Sequence, residues 1–183
     1  MTENKASSGT ALNWLILITL GLIWGGSFLG VELSLSGFGP ITLVAGRVSV
    51  AAIILLMVAL IFGDGLPNLK TATDKRVWLH CFGMGLFTNA IPFSLLSWGQ
   101  QIVTSGFAGI SMAIVPLFVL PLSHYLLPGE LMNRLKVIGF LMGFLGIIVL
   151  IGGDSIFNGS PSSFKMLTAQ SACVMASCCY AIG

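Results

Sequence analysis

Six apolar stretches divide the chain, and each has the length of one membrane-spanning helix. They cover about residues 13–33, 39–62, 77–98, 103–127, 135–151 and 165–183. A helix rises about 1.5 Å per residue, so about 20 apolar residues cross the roughly 30 Å hydrocarbon core of a bilayer. The pattern therefore predicts an all-α membrane protein, a polytopic transmembrane bundle of five helices followed by the beginning of a sixth.

Short polar segments separate these stretches. Residues 77–129 contain no Asp, Glu, Lys or Arg, but they are too many for one span, and the polar turn at 99–106 divides them in two. The predicted organisation is an N-terminal tail (1–12), a body of five spans (13–152), a loop (153–164) and a truncated sixth helix (165–183). No segment between the spans is long enough for a soluble domain.

The composition supports a lipid environment. Hydrophobic residues occupy 56% of the 183 positions and charged residues only 8%, against about 25% charged residues in ordinary soluble domains. Such a chain has too few charges to cover a water-facing surface. The net charge of +2 comes without a basic cluster, so nucleic acid is not an expected partner.

Lysine and arginine lie mainly on one side of the predicted bundle. Six are in the N-terminal tail and in the loops after the second and fourth spans, whereas one, Lys165, is on the opposite side. Cytoplasmic loops carry the excess of basic residues. We therefore expect a cytoplasmic N-terminus and a periplasmic 153–164 loop.

Motifs of enzymes are missing from the sequence, which has no nucleophile elbow, His-Glu-x-x-His sequence or Walker phosphate loop. The four cysteines (Cys81, Cys173, Cys178 and Cys179) lie in apolar stretches, where thiols usually pack as small hydrophobic groups. The last three have no His, Asp or Glu nearby to complete a metal site. We expect no catalytic residue, metal or cofactor.

Arg47 is a charged residue inside a predicted span. Insertion scales place such a charge at about 2.5–3.5 kcal/mol unfavourable, so its side chain must face protein or water and find an acceptor. Glu32 is the acid within plausible reach. Two interpretations remain open: a buried ion pair or carbonyl cap that joins the first two spans, and a contact to an anion beside a cavity.

Three prolines, Pro92, Pro116 and Pro121, interrupt the predicted third and fourth spans. Each proline removes a backbone hydrogen bond and bends its helix, and the freed carbonyls must face a cavity or polar neighbours. Bent helices with polar linings suit a solute pathway. Proline is also common in membrane helices generally, so the prolines favour this interpretation without requiring it.

Two further features of the spans have both a packing and a binding interpretation. Trp24 lies near the middle of the first span, where it either fills the core or lines a pocket and stacks on a substrate. Three glycine pairs are each spaced four apart, which predicts faces where helices approach closely. The pairs are Gly21 with Gly25, Gly26 with Gly30, and Gly139 with Gly143.

The order of several short motifs resembles the EamA-type domain of the drug/metabolite transporter superfamily. The similar positions are Trp24-Gly25-Gly26-Ser27-Phe28, Arg47, Pro116-Leu117-Phe118, Gly129-Glu130 and the glycine-studded run from Gly139 to Leu150. The resemblance covers about residues 12–153, one complete five-helix repeat. Glu32 departs from it, since family members often have an apolar or basic residue there, and this makes a substrate role for that position uncertain.

The resemblance implies an inner-membrane secondary transporter of small metabolites or drugs. Family members typically have ten helices in two repeats, and five spans per repeat make the second repeat inverted. Inverted repeats place the substrate site at their interface near the midplane and permit alternating access. Residues 179–183 resemble the opening of the second repeat, with Tyr180 at the place of Trp24, so we expect the chain to be a fragment.

Trp24, Arg47, Asn89 and Ser111 are the candidate substrate contacts of this repeat. The expected partners are a small-molecule substrate, the lipid bilayer, and either the missing second repeat or a homodimer partner. Three alternatives remain: a half-size transporter acting as a dimer, a non-transporting membrane scaffold, and a membrane-embedded enzyme. The enzyme would require paired carboxylates or histidines at one depth, and the sequence shows none.

Overall fold

A computed structural model describes residues 6–63, 66–67, 71–126, 133–158 and 163–183. Eight α-helices occupy this part of the chain, with a π-helical turn before the fourth and a 3₁₀ turn before the sixth. The α-helices are α1 (Ala6–Ser34), α2 (Pro40–Phe62), α3 (Ala72–Gly85), α4 (Ile91–Gly99), α5 (Ser105–Ser111), α6 (Val115–Leu126), α7 (Arg134–Asn158) and α8 (Phe164–Ile182).

Four segments of the described chain are long and apolar enough to cross a membrane. They are Ala11–Ser34, Pro40–Phe62, Thr73–Gly99 and Ser105–Leu126. Large apolar side chains on the first two are open to the surroundings: Leu22 is 72% exposed and Ile41 80% exposed. An apolar surface of this extent is stable in lipid rather than in water, which confirms the prediction of an all-α polytopic membrane protein.

Local sequence signals fix several helix ends. Pro40 stands in the first turn of α2, where its missing N–H costs nothing. The Thr71 side chain accepts a hydrogen bond from the backbone N–H of Asp74, and the Asp74 carboxylate accepts one from the Thr71 N–H, forming a capping box at the start of α3. At the start of α5, Thr104 accepts from the Phe107 N–H.

Two of the predicted spans are interrupted helices, as the prolines indicated. A π-helical turn, Leu86–Ala90, lies between α3 and α4 just before Pro92. A 3₁₀ turn, Met112–Ile114, lies between α5 and α6 just before Pro116. Both are places where the regular hydrogen-bond ladder cannot continue into the proline. Pro121 instead lies within α6.

The end of the fifth span differs from the sequence prediction. A loop was expected at 153–164, but α7 continues to Asn158. Gly152 and Gly153 lie inside this helix. Glycine costs only about 1 kcal/mol in a helix interior, which flanking helical residues readily offset.

The centre of the bundle is α8, which lies against α4, α5 and α6. Small side chains on one face of α8 make this packing close, as is usual between membrane helices. A Cβ atom added at Gly99 on α4 would lie 2.9 Å from the Cys173 Sγ and 3.0 Å from the Ala169 carbonyl oxygen. We call this contact between α4 and α8 the Gly99 contact.

Most glycines of the pairs predicted as packing sites do not contact another helix in the described chain. An added Cβ at Gly21, Gly25, Gly26, Gly30 or Gly139 would meet no atom within 4 Å. Within the described chain these glycines therefore face open surface. Only Gly143 of the three pairs is in close contact, with the side chain of Leu117 on α6.

Candidate solute-binding cavity

A cavity of about 540 Å³ lies between α1 and α4 and reaches α2, α6 and α8. Its α1 wall consists of Trp24, Ser27, Phe28 and Val31, and these residues are spaced three and four apart. Such spacing places side chains on one helix face. The volume falls in the range of small-molecule sites, about 300–1,000 Å³.

The opposite wall is the matching face of α4. Phe93, Leu96, Ser97 and Gln100 again follow helical spacing and all line the cavity. Ser97 is 3% exposed and Gln100 is 6% exposed. The wall therefore changes from aromatic and aliphatic groups to two buried polar groups toward the end of α4.

Arg47 supplies positive charge to this cavity from α2. Its guanidinium carbon lies 4.2 Å from the centroid of the Phe93 ring, a cation–π contact. No ion pair between Arg47 and Glu32 occurs in the described residues. The Glu32 carboxylate instead accepts a hydrogen bond from the Ser105 N–H at 2.8 Å, which joins the end of α1 to the start of α5.

The ion-pair interpretation of Arg47 is therefore wrong for this structure. The physical reason lies in the helix ends. Glu32 is near the end of α1 beside the free N–H groups of α5, which attract a carboxylate. Arg47 lies about two helical turns inside α2, where the aromatic face of Phe93 is close.

Gln100 fixes the end of α1 to the end of α4. Its Nε2 donates to the Phe28 carbonyl oxygen at 2.9 Å. Its Oε1 is buried and has no hydrogen-bond partner among the described residues. The Ser97 hydroxyl likewise forms no hydrogen bond with the described part of the protein, whereas Ser94 donates to the Ala90 carbonyl at 2.7 Å. Unpaired buried polar groups are uncommon and call for an explanation.

Two further lining residues lie four positions before a proline. Pro92 and Pro116 cannot donate to the carbonyls four residues earlier, which belong to Thr88 and Met112. Thr88 and Met112 both line the cavity. The Met112 carbonyl is not left free, because it accepts a hydrogen bond from the Val115 N–H in the 3₁₀ turn. The interruptions before Pro92 and Pro116 thus lie beside the cavity.

The four predicted substrate contacts are placed differently from one another. Trp24 and Arg47 both line the cavity. Asn89 is not among the lining residues, and its Nδ2 donates to the Thr88 Oγ1 at 2.9 Å. Ser111 is fully buried, and its backbone carbonyl accepts from the Ser177 hydroxyl at 2.8 Å between α5 and α8. Ser111 is therefore a packing residue in this arrangement.

Sequence reasoning missed the polar end of the α4 wall. Gln100 belongs to the turn predicted at 99–106, and α4 does end at Gly99, but the Gln100 side chain is buried. The signal was the spacing of Phe93, Ser97 and Gln100, which puts an aromatic, a hydroxyl and an amide on one face. Tyr180, named only as the counterpart of Trp24, lines the same cavity as Trp24.

A second cavity of about 320 Å³ lies between α6 and α7 and provides a contrast. Its lining is aliphatic residues, alanine and glycine, among them Ile110, Leu117 and Leu150. It offers no side-chain group that could orient a polar solute. The first cavity, by contrast, is lined by Arg47, Ser97 and Gln100.

Comparison with known proteins agrees with a membrane carrier. Residues 12–152 match the EamA-like transporter family. An uncharacterized inner membrane transporter, YedA of Escherichia coli, is 31% identical over 79% of this chain and 45% of its own length. An uncharacterized transporter of Archaeoglobus fulgidus is 28% identical over 75% of this chain and 46% of its own length.

A third relative has a more specific name. A probable terminal-alkyne amino-acid exporter of Streptantibioticus cattleyicolor is 28% identical over 80% of this chain and 48% of its own length. No solved structure matches the chain. The chain spans a little less than half the length of these curated relatives.

The matched segment, 12–152, covers most of α1, all of α2 to α6 and most of α7, and agrees closely with the segment of about 12–153 expected from the motifs. The family is one of transporters, which agrees with the expectation that the chain is not an enzyme. The chain is an integral membrane protein that belongs to the EamA-like transporter family.

Proposed function

We propose that this chain forms one half of a secondary transporter of small metabolites or drugs in the inner (plasma) membrane. The cavity between α1 and α4 holds part of the substrate site. The observation that carries the proposal is the composition of that cavity: apolar and aromatic walls, one cation from α2, and two buried polar groups. Small-molecule sites combine these features.

The same cavity argues against a scaffold that transports nothing. A scaffold gains stability from filled helix contacts, whereas this space of about 540 Å³ is partly open and is lined by Arg47, Ser97 and Gln100. Interrupted helices border this void at Thr88 and Met112. Broken helices at a midplane site are typical of transporters.

The substrate site is completed by a partner, which we propose to be an inverted second repeat. Five spans return the chain to the opposite side, so a following repeat enters the membrane inverted. Rocking of the two repeats around the cavity then gives alternating access. A second copy of this chain is the other partner that this geometry accepts, as a half-size transporter acting as a dimer.

The orientation is proposed from the basic residues. Six of the lysines and arginines lie on the side of the N-terminus and one on the other, which favours a cytoplasmic N-terminus. The name of the Escherichia coli relative supports an inner-membrane location. Impermeant thiol labelling of single cysteines placed at positions 36 and 66 tests it, since only the first should react from outside the cell.

Flux through reconstituted protein tests the proposed function. The complete gene product is purified, reconstituted into liposomes loaded with a metabolite mixture, and the contents are followed by mass spectrometry. We expect a subset of solutes to leave at least about tenfold faster than from protein-free liposomes. Equal leakage from both preparations, with the protein folded and inserted, would refute transport. The mass of the protein after cross-linking in the bilayer distinguishes a single chain with two repeats from a dimer of half-size chains.

A further inference from the structure

Three polar groups line the cavity. Arg47 is placed over Phe93, and Ser97 and Gln100 follow Phe93 on the same face of α4. The rise of a helix puts Ser97 about 6 Å and Gln100 about 10 Å from Phe93 along the axis. A cation and a hydrogen-bonding pair are thus separated by roughly the length of one aromatic ring with a short side chain.

Each of these groups lacks a hydrogen-bond or ionic partner in the described chain that a ligand could provide. The guanidinium of Arg47 has five N–H donors, and its contact within the described residues is to an aromatic face rather than to an acceptor. The Ser97 hydroxyl and the Gln100 Oε1 are in residues more than nine-tenths buried and have no partner in the described chain. Of these atoms the Gln100 Oε1 is the one buried without a partner in the described chain, and a buried acceptor left unpaired lowers stability until a donor arrives.

Aromatic side chains surround the space between the two polar ends. Trp24 and Phe28 lie on the α1 wall, Phe93 on the α4 wall, and Tyr180 on α8. Phe93 and Tyr180 are in edge contact, with ring centroids 6.3 Å apart. Such walls favour a flat apolar body that can stack or meet ring edges.

We propose that the cavity selects an aromatic organic acid that carries a second hydrogen-bonding group at its far end. Arg47 binds the carboxylate, the aromatic walls hold the ring, and Ser97 pairs with the distal hydroxyl or amide. This inference rests on the proposed transport function for its biological meaning, but binding alone suffices to test it. Ser97 is thereby a specificity-determining residue, and Gln100 supports the same polar end.

Three matched probes distinguish the contribution of the carboxylate contact from that of the hydroxyl contact. Para-hydroxyphenylpropionate carries both groups, phenylpropionate lacks the hydroxyl, and para-hydroxyphenylpropionamide lacks the charge. Their dissociation constants are measured by equilibrium dialysis against the complete gene product in detergent. For the unaltered protein we expect the hydroxy acid to bind about 3- to 10-fold more tightly than phenylpropionate, because one hydrogen bond is gained.

Two substitutions assign the contacts. Ser97→Ala should remove the preference for the hydroxy acid over phenylpropionate and leave the affinity for phenylpropionate within about twofold. Arg47→Gln should raise the dissociation constants of both acids at least about tenfold, since a charged hydrogen bond is lost. The dissociation constant of the neutral amide should stay within about twofold. Should Arg47→Gln fail to fold, Arg47→Lys replaces it and should retain a reduced preference for acid over amide.

The comparison of ligands within each variant excludes a general loss of fold as the cause. A hydroxyl preference that survives in Ser97→Ala, or acids that bind Arg47→Gln as tightly as the unaltered protein, would overturn the proposal. So would the absence of binding by all three probes to protein that transports other solutes. Selective binding without flux would support the site and refute the transport function, so the two failures are distinguishable.

Discussion

Replacing Gly99 with alanine tests how closely α4 and α8 pack. The added Cβ would lie 2.9 Å from the Cys173 Sγ and 3.0 Å from the Ala169 carbonyl oxygen. Ordinary contacts begin near 3.4 Å, so the helices must separate by about half an ångström. The Ala169 oxygen belongs to the backbone and cannot rotate away. Gly99→Ala therefore perturbs the central contact of the bundle directly.

The cost follows from overpacking of a filled core. Inserting one methyl group where helices already touch costs about 1–3 kcal/mol. Alanine gains at most about 1 kcal/mol over glycine in a helix, and less at position 99, which ends α4. We expect a net loss of about 1–2 kcal/mol in the free energy of unfolding.

The assay is reversible unfolding in mixed detergent micelles, followed by tryptophan fluorescence. Gly83→Ala in α3 is the matched control, because its Cβ would meet nothing within 4 Å; it should be neutral or stabilising. Adding Cys173→Ala to Gly99→Ala should recover part of the loss, since the Sγ contact disappears while the Ala169 contact remains. Equal stability of Gly99→Ala and Gly83→Ala would refute the reasoning about the Gly99 contact.

Three further predictions concern the other contacts of the bundle. Glu32→Ala should speed hydrogen exchange at the start of α5, because the Ser105 N–H loses its acceptor, whereas Glu32→Gln, which keeps an acceptor, should not; equal exchange in both would contradict the contact. Ser177→Ala should lower the free energy of unfolding by about 0.5–2 kcal/mol, because the buried Ser111 carbonyl loses its donor; an unchanged midpoint would argue against it. In detergent, membrane-permeant N-ethylmaleimide should label Cys81, which is exposed on the span Thr73–Gly99, faster than the buried Cys173, which should react only after unfolding; equal labelling rates in folded protein would contradict the central place of α8.

The sequence predicted the helical spans well because length and hydropathy determine them. Each span from the second to the fourth, and the sixth, falls within a few residues of its helix or helix pair. Pro92 and Pro116 located the interruptions, since a missing N–H breaks the ladder wherever the helix lies. These are properties of one segment, and they need no knowledge of its neighbours.

The candidate site was only half predictable, because helix rotation decides which face meets the cavity. Trp24 and Arg47 were found from their unusual depth. Asn89 and Ser111 are polar residues near the prolines, but Asn89 donates to Thr88 and does not line the cavity, and Ser111 packs against α8. Spacing on α4 contained the missing information about Ser97, but only the position of α1 shows that this face is the wall.

The glycine prediction shows the same limit. Pairs spaced four apart indicate a smooth helix face, yet Gly21 and Gly25 have no neighbour in the described chain, whereas Gly99, which belongs to no pair, makes the tight contact. A smooth face is available for packing, and the rest of the bundle decides whether it is used. On α1 the open face is a surface that the proposed second repeat or second copy would cover.

The central claim is that solute moves through the cavity between α1 and α4, and filling that cavity tests it most directly. Ser27 lines the cavity, whereas Leu22, on the same helix, is 72% exposed and outside it. Solute flux is measured in liposomes for Ser27→Trp and Leu22→Trp at equal amounts of inserted protein. We predict at least about a tenfold loss for Ser27→Trp and near-normal flux for Leu22→Trp. Full flux through Ser27→Trp would contradict the account.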